Sequence, residues 1–152
     1  MRDEVRGEAS SRSAGRAAQR VLLVESCPVL GHVLQTFLAK HFAAVGLATG
    51  IADLSRMGAE LGHYDAVIVD DDGGPEAVRA YVSALSRPPG AAPRIVLLCG
   101  GAHCAEYGPS VRRTLLKPVP GSALLEAVDR CLGPGLRRAQ RARKAAIRHR
   151  SG

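Results

Sequence analysis

The sequence predicts an α/β fold in which helices cover both faces of a parallel β-sheet. Several apolar runs lack polar alternation, as residues 66–69 do, and this is typical of strands that are buried on both faces. Strands and helical stripes alternate about five times, which favours right-handed crossovers. Charged residues follow three strands directly, at Glu25, Asp70 and Lys117. Because the carboxyl ends of parallel strands line the crevice where such sheets bind ligands, we expect a site there.

Length and composition are those of one domain with an aliphatic core. The chain has 152 residues, of which 46% are hydrophobic and only 3% aromatic. No apolar stretch approaches the roughly 18 residues of a membrane span, and the N-terminus lacks a signal-peptide core, so we expect a cytoplasmic protein. The four cysteines have no paired spacing, which indicates a reducing compartment and argues against a zinc site.

Charge divides the chain into three parts. Residues 1–19 have no apolar period and are predicted to be a disordered leader. Residues 20–133 carry ten basic and eleven acidic side chains and form the predicted domain. Residues 134–152 carry seven basic and no acidic side chains. This basic tail is either a solvated segment or an electrostatic arm for nucleic acid, anionic lipid or an acidic partner.

The strands are predicted from short apolar or β-branched runs. The first, third and fourth are the most apolar, whereas the second contains a glycine and the fifth is short. The five predicted strands are residues 21–24, 43–49, 64–69, 95–98 and 114–116.

The helices are predicted from apolar residues at helical spacing. Pro28 and Pro75 stand where helices can begin, and residues 102–110 are too irregular for a helix. A short helix is expected between Ile51 and Leu61. Three longer helices have predicted buried faces made of Leu30, Val33, Leu34, Phe37, Leu38 and His41; of Val78, Tyr81, Val82 and Leu85; and, within residues 122–132, of Leu124, Leu125, Val128, Cys131 and Leu132.

Three adjacent carboxylates, Asp70 to Asp72, follow the third strand. They repel one another, so a cation, a lysine or open solvent must relieve them. Considered alone, the Asp-Gly sequence would be an ordinary solvated turn. Together with Glu25 and Lys117 it indicates a site where carboxylates hold Mg²⁺, a lysine neutralises a phosphoryl group and an aspartate attacks it.

Four motifs in order resemble the receiver domain of bacterial two-component response regulators. The likeness covers about residues 20–132. The motifs are Val-Leu-Leu-Val-Glu at 21–25, Tyr-Asp-Ala-Val-Ile-Val-Asp at 64–70, Pro-Arg-Ile-Val-Leu-Leu at 93–98 and Leu-Leu-Lys-Pro at 115–118.

The resemblance implies a flavodoxin-like receiver fold with strand order 2-1-3-4-5. It implies that Asp70 is the phosphoacceptor and that Lys117 contacts the phosphoryl group. It also implies a Mg²⁺ site at Glu25, Asp70 and the backbone carbonyl of Asp72, and a cis peptide bond before Pro118. The implied partner is a histidine kinase or a phosphotransfer protein.

Three positions depart from the family pattern. Ser26 stands where the family has a second metal-binding acid, which weakens the expected Mg²⁺ site unless Asp71 or Asp72 supplies a carboxylate. Leu98 stands at the position of the hydroxyl residue that ends strand four, and Thr114 replaces the aromatic residue of strand five.

Two functional hypotheses follow, and neither is an enzyme. The first is a stand-alone receiver-type protein of a phosphorelay that accepts a phosphoryl group on Asp70. The second is a pseudo-receiver that signals by docking without phosphorylation. A metal- or nucleotide-dependent enzyme is a weaker third hypothesis, because the chain lacks a glycine-rich phosphate loop.

Overall fold

The structure, a computed structural model, describes residues 15–86, 94–101 and 107–133. Its centre is a five-stranded sheet in the order β2-β1-β3-β4-β5, in which all neighbouring strands are parallel. This confirms the predicted fold class and strand order. The strands are β1 (Arg20–Val24), β2 (Ala44–Ala48), β3 (Ala66–Asp70), β4 (Arg94–Cys99) and β5 (Val111–Leu116).

Helices pack on the two faces of this sheet. The second helix continues into a 3₁₀-helix, Gly58–His63. The helices are α1 (Pro28–Ala39), α2 (Ile51–Met57), α3 (Pro75–Leu85) and α4 (residues 121–133).

The core consists of two apolar layers separated by the sheet. Val21 and Leu23 of β1 face the layer that contains α1 and α4, whereas Leu22 and Val24 face the layer that contains α2 and α3. All four are fully buried. The strand therefore needs apolar residues at every position, which is why its sequence does not alternate.

The predicted buried face of α1 is partly wrong. Leu30 and Val33 are 49% and 59% exposed, whereas Gly31 and Leu38 are buried. The helix approaches β2 through Gly31, where a Cβ atom would lie 3.0 Å from Leu47 Cδ1. This close approach turns the helix so that Leu30 and Val33 face outward.

The other two long helices have the predicted buried faces. Val78, Tyr81, Val82 and Leu85 of α3 are buried. So are all five residues predicted for the stripe of α4. The helical spacing of apolar residues was enough to predict the buried faces of α3 and α4, because each of these helices carries a single apolar stripe.

Strand boundaries differ from the prediction by at most three residues. β5 begins at Val111 because it includes the charged residues Arg112 and Arg113, and β4 is one residue longer than predicted at each end, from Arg94 to Cys99. Gly46 lies inside β2 because the Tyr64 ring covers it: an added Cβ atom would lie 2.9 Å from Tyr64 Cζ.

Residues 15–19, which the sequence assigned to the leader, contact the domain. The Arg16 guanidinium donates to both carboxylate oxygens of Asp129 in α4, with NH2 to Oδ2 at 2.6 Å. Gln19 is buried. The folded part of the chain thus begins before Arg20, while the rest of the predicted leader and the basic tail lie outside the described residues.

Among the described residues, no helix is both long enough and apolar enough to cross a membrane.

The cysteines differ in their chemical state. Cys27 and Cys131 carry free thiols, whereas Cys99 is disulfide-bonded, which the cysteine spacing did not predict. Part of the predicted irregular segment, residues 102–106, lies outside the described ranges.

Candidate functional site

The carboxyl ends of the central strands bring the predicted acids together. Glu25 follows β1, Asp70 ends β3, and β1 pairs with β3 in the sheet. Ligand atoms of Glu25, Asp70 and Asp72 all lie within 4.8 Å of one another. The structure therefore places one carboxylate cluster where the strand-end pattern predicted a site.

Lys117 contacts all three adjacent aspartates and offsets part of their negative charge. Its Nζ atom lies 2.6 Å from Asp70 Oδ1, 2.8 Å from Asp72 Oδ1 and 3.2 Å from Asp71 Oδ1. Burial lowers the pKa of Lys117, but the hydrogen bonds to the aspartates outweigh it and raise that pKa above its ordinary value. The hydrogen bond from Lys117 lowers the pKa of Asp72. A cation close to all three carboxylates is thus built into the chain itself.

The backbone of the loop holds Asp70 and Asp71 in place. Asp70 Oδ1 accepts the N–H of Asp72 at 2.9 Å, in addition to the bond from Lys117. The Asp71 N–H donates to the Leu98 carbonyl at 3.1 Å, and the N–H of Gly100 donates to both Asp71 carboxylate oxygens. These bonds join the end of β3 to the end of β4.

Glu25 is the most deeply buried acid of the site, with 1% of its surface exposed. Its Oε1 accepts the N–H of Cys27 at 2.8 Å, while its Oε2 has no hydrogen-bond partner among the described residues. Burial raises the pKa of Glu25 to about 6, the Cys27 N–H opposes this rise, and the charge of Asp70 adds to it.

A divalent cation fits this arrangement of donors. A buried carboxylate oxygen without a partner costs free energy unless a donor or a cation reaches it. In the described part of the chain Glu25 Oε2 meets that condition beside two further carboxylates, and hard cations such as Mg²⁺ prefer oxygen ligands. Glu25, Asp70 and Asp72 are therefore the residues that could hold Mg²⁺.

The three positions that depart from the family pattern differ in their surroundings. Ser26 is exposed, as is Thr114 on β5. The Leu98 side chain is 4% exposed and packs in the apolar layer of α1 and α4. Since β4 extends one residue further than predicted, Cys99 rather than Leu98 is the last residue of that strand.

The segment after β5 also matches the expected geometry. The Lys117–Pro118 peptide bond is cis, as the resemblance implied. The Lys117 N–H donates to the Cys99 carbonyl at 2.9 Å, which continues the β4–β5 ladder up to the site.

The contact between Asp71 and Gly100 was not predicted from the sequence. Neighbouring glycines at 100 and 101 are a weak signal that backbone comes close to another group there. Side-chain atoms of Asp71 and Lys117 lie within 4 Å of a Cβ atom built on Gly100. The pairing of two loops that are far apart in sequence is a tertiary feature and has no local pattern.

Comparison with solved structures identifies the fold. A response-regulator receiver domain protein from Bacillus halodurans is 21% identical, with a TM-score of 0.62 over 74% of this chain and 96% of that chain. The receiver domain of a sensor histidine kinase from Pseudomonas aeruginosa, solved with magnesium coordinated in its active-site cleft, is 23% identical, with a TM-score of 0.61 over 76% of this chain and 98% of that chain. An adenylate cyclase structure from Rhodopirellula baltica is 19% identical, with a TM-score of 0.64 over 86% and 97%.

No family model and no curated protein matches the chain. The fold is that of response-regulator receiver domains, which are signalling domains of two-component systems. Since the identities to these structures are below 25%, the likeness is one of fold, and the chemistry has to be argued from the residues of the site.

Proposed function

We propose that this protein is a receiver-type phosphoacceptor of a phosphorelay, with Asp70 as the residue that accepts the phosphoryl group. The observation that carries the proposal is the pair formed by Asp70 and Lys117 at 2.6 Å. Beside this pair lies Glu25 Oε2, which has no hydrogen-bond partner within the residues that the structure describes. A carboxylate nucleophile, a lysine and a site for a cation are together the parts that phosphoryl transfer needs.

The proposed reaction is a displacement at phosphorus. A carboxylate oxygen of Asp70 attacks the phosphorus of a phosphohistidine on the kinase or phosphotransfer protein. The new O–P bond gives an aspartyl phosphate, the P–N bond breaks, and the imidazole leaves with the electron pair of that bond. Because Asp70 Oδ1 accepts the bonds from Lys117 and Asp72, we assign the attack to Oδ2.

Lys117 and the acids have separate roles in this proposal. The ammonium group of Lys117 is placed to neutralise charge on the incoming phosphoryl oxygens, because it lies against the nucleophile. Glu25, Asp70 and Asp72 would hold Mg²⁺, which supplies further charge neutralisation when bound. Asp72 brings a carboxylate in addition to its backbone carbonyl, which compensates for the neutral Ser26.

An exposed apolar surface on α1 supports docking of a partner next to the site. Val29, Leu30 and Val33 are 72%, 49% and 59% exposed, and α1 begins three residues after Glu25. Val33 lies four positions after Val29 and three positions after Leu30, and residues at these spacings are neighbours on a helix surface, so the three side chains form one patch. Exposed apolar patches of this kind mark interaction sites.

Intact-mass spectrometry of the full chain tests the phosphoacceptor. With a small phosphodonor and Mg²⁺, we expect one base-labile phosphoryl adduct, which is absent in Asp70→Asn and with EDTA. Asp53→Asn removes a carboxylate outside the site and should keep the adduct. If wild type gives no adduct and binds no Mg²⁺, phosphoryl acceptance is refuted.

A second candidate function is docking without phosphorylation. It is favoured by Leu98, whose apolar side chain cannot donate a hydrogen bond to a phosphoryl group, together with the apolar patch on α1. In that case Asp70→Asn should leave partner binding unchanged, whereas Leu30→Ser with Val33→Ser should weaken it. A large loss of binding in Asp70→Asn would count against this candidate.

A further inference from the structure

Three carboxylates share the ammonium group of Lys117. An ammonium group has three N–H donors. One oxygen of each adjacent aspartate lies against Lys117 Nζ: Asp70 Oδ1 at 2.6 Å, Asp72 Oδ1 at 2.8 Å and Asp71 Oδ1 at 3.2 Å. Three donors thus face three acceptors. An oxygen of an incoming phosphoryl group can bind Lys117 only when one aspartate leaves its place.

Asp71 has the weakest hold on this ammonium group. Its contact is the longest of the three. Asp70 is the proposed phosphoacceptor and stays in the site. Asp72 belongs with Glu25 and Asp70 to the group that could hold a cation, and among the described residues the Asp71 carboxylate is not in that group. A phosphoryl group that arrives at Asp70 should therefore displace Asp71 rather than Asp72.

The Asp71 carboxylate also binds a backbone donor. The N–H of Gly100 donates to Asp71 Oδ1 at 3.1 Å and to Asp71 Oδ2 at 3.0 Å. Gly100 lies next to the lysine, since a Cβ atom built on it would be 3.9 Å from Lys117 Nζ. An ammonium group and a backbone N–H that converge on one anionic group are also the kind of donors that bind phosphoryl oxygens. Asp71 thus occupies two such donors beside the proposed nucleophile.

We propose that the Asp71 carboxylate competes with phosphoryl oxygens for the Gly100 N–H and the Lys117 ammonium group. Asp71 binds both donors in the unphosphorylated protein, and the phosphoryl oxygens displace it when they reach Asp70. This exchange breaks and forms hydrogen bonds only, because the covalent step is the one described for Asp70. Asp71 thereby lowers the rate of phosphoryl transfer. The inference rests on the proposed phosphoacceptor and adds a residue that regulates it.

Two alternative roles of Asp71 predict different results. In the first, the bonds from Gly100 only tie the end of β3 to the end of β4, so loss of the carboxylate loosens the site and slows phosphoryl transfer. In the second, Asp71 acts only through its charge, so neutralising another acid near the site has the same effect. Glu76 is such an acid, because it is exposed in the first turn of α3, which follows the loop of the three aspartates.

Initial rates of adduct formation separate these roles. They are measured by intact-mass spectrometry of the full chain with acetyl phosphate and Mg²⁺. We expect Asp71→Asn to raise the rate about tenfold, which corresponds to about 1.4 kcal/mol and is close to the contribution of one hydrogen bond to a charged group. Glu76→Gln should keep the wild-type rate, and circular dichroism checks that both variants are folded.

A second measurement does not depend on phosphorylation. In Asp70→Asn, which cannot form the adduct, the NMR signal of the Gly100 amide is followed while inorganic phosphate is added in the presence of Mg²⁺. When Asp71→Asn is combined with Asp70→Asn, we expect the half-maximal shift of this signal at an about tenfold lower phosphate concentration, because the competing carboxylate is gone. Glu76→Gln in the same background should leave that concentration unchanged.

The two measurements distinguish failure of this inference from failure of the phosphoacceptor. If the adduct forms in wild type but forms equally fast or more slowly in Asp71→Asn, Asp70 is the acceptor and the competition is overturned. An equal gain in rate with Glu76→Gln overturns it as well. If no protein forms the adduct while the Gly100 amide responds to phosphate as expected, the competition holds and the phosphoacceptor is refuted. Equal phosphate affinity with and without the Asp71 carboxylate overturns the competition in either case.

Discussion

Glu25 should make the protein less stable as the pH rises from about 4.5 to about 6. Its pKa is about 6 in the folded state against an ordinary value of 4.5. Below pH 4.5 the carboxyl is protonated in both states and contributes nothing. Between these values the folded state binds the proton and the unfolded state does not, so the free energy of unfolding falls.

The size of this loss follows from the shift in pKa. A difference of about 1.5 pH units corresponds to about 2 kcal/mol of unfolding free energy, which is fully lost above pH 6. Glu25→Gln keeps the shape of the side chain and cannot ionise. The free energy of unfolding of the variant minus that of wild type should therefore be about 2 kcal/mol larger at pH 7.5 than at pH 4.

Urea unfolding followed by circular dichroism, in EDTA at both pH values, measures this difference. Glu76→Gln is a matched control, because Glu76 is exposed in the first turn of α3. Adding Mg²⁺ at pH 7.5 should make wild type more stable than Glu25→Gln. A ligand that binds only the folded state stabilises it, and wild type retains the carboxylate that would bind the cation. If the free energies of unfolding of wild type and Glu25→Gln differ by the same amount at both pH values, the reasoning is refuted.

Three further predictions concern stability near neutral pH. Lys117→Met should lower the free energy of unfolding by about 2 kcal/mol, because it removes the hydrogen-bonded cation from three carboxylates. Gly46→Ala should cost about 1–3 kcal/mol, because the new Cβ overlaps the Tyr64 ring, and combination with Tyr64→Ala should cost less than the sum. Leu38→Ala should cost about 2–5 kcal/mol, whereas Val33→Ala should change stability by less than about 0.5 kcal/mol.

Each of these predictions has a control in the same chain and is measured by urea unfolding. Lys40→Met removes an exposed lysine at the end of α1, and Gly62→Ala adds a Cβ atom with no other atom within 4 Å of it. If the controls lose as much stability as the variants at Lys117 and Gly46, the contacts of Lys117 with the aspartates and of Gly46 with Tyr64 are not the cause of the losses. A costly Val33→Ala would show that the outward face of α1 is covered.

The sequence by itself determined the fold class and the residues that lie at the strand ends. Continuous apolar runs such as residues 66–69 require burial on both faces, and a parallel sheet gathers the ends of its strands at one edge. The pattern of strand ends therefore identifies Glu25, Asp70 and Lys117 without three-dimensional information. The strand order and the cis bond before Pro118 came from the family resemblance, since no local pattern encodes them.

Only the tertiary structure decided which side of α1 packs and how the charges of the site are partnered. Two sides of α1 carry apolar residues, and the contact of Gly31 with Leu47 selects between them. Likewise, the bond of Asp71 to Gly100 joins loops that are distant in sequence, and burial leaves Glu25 Oε2 without a hydrogen-bond partner in the described part of the chain. Burial and long-range pairing set these energies, and a linear pattern of residues contains neither.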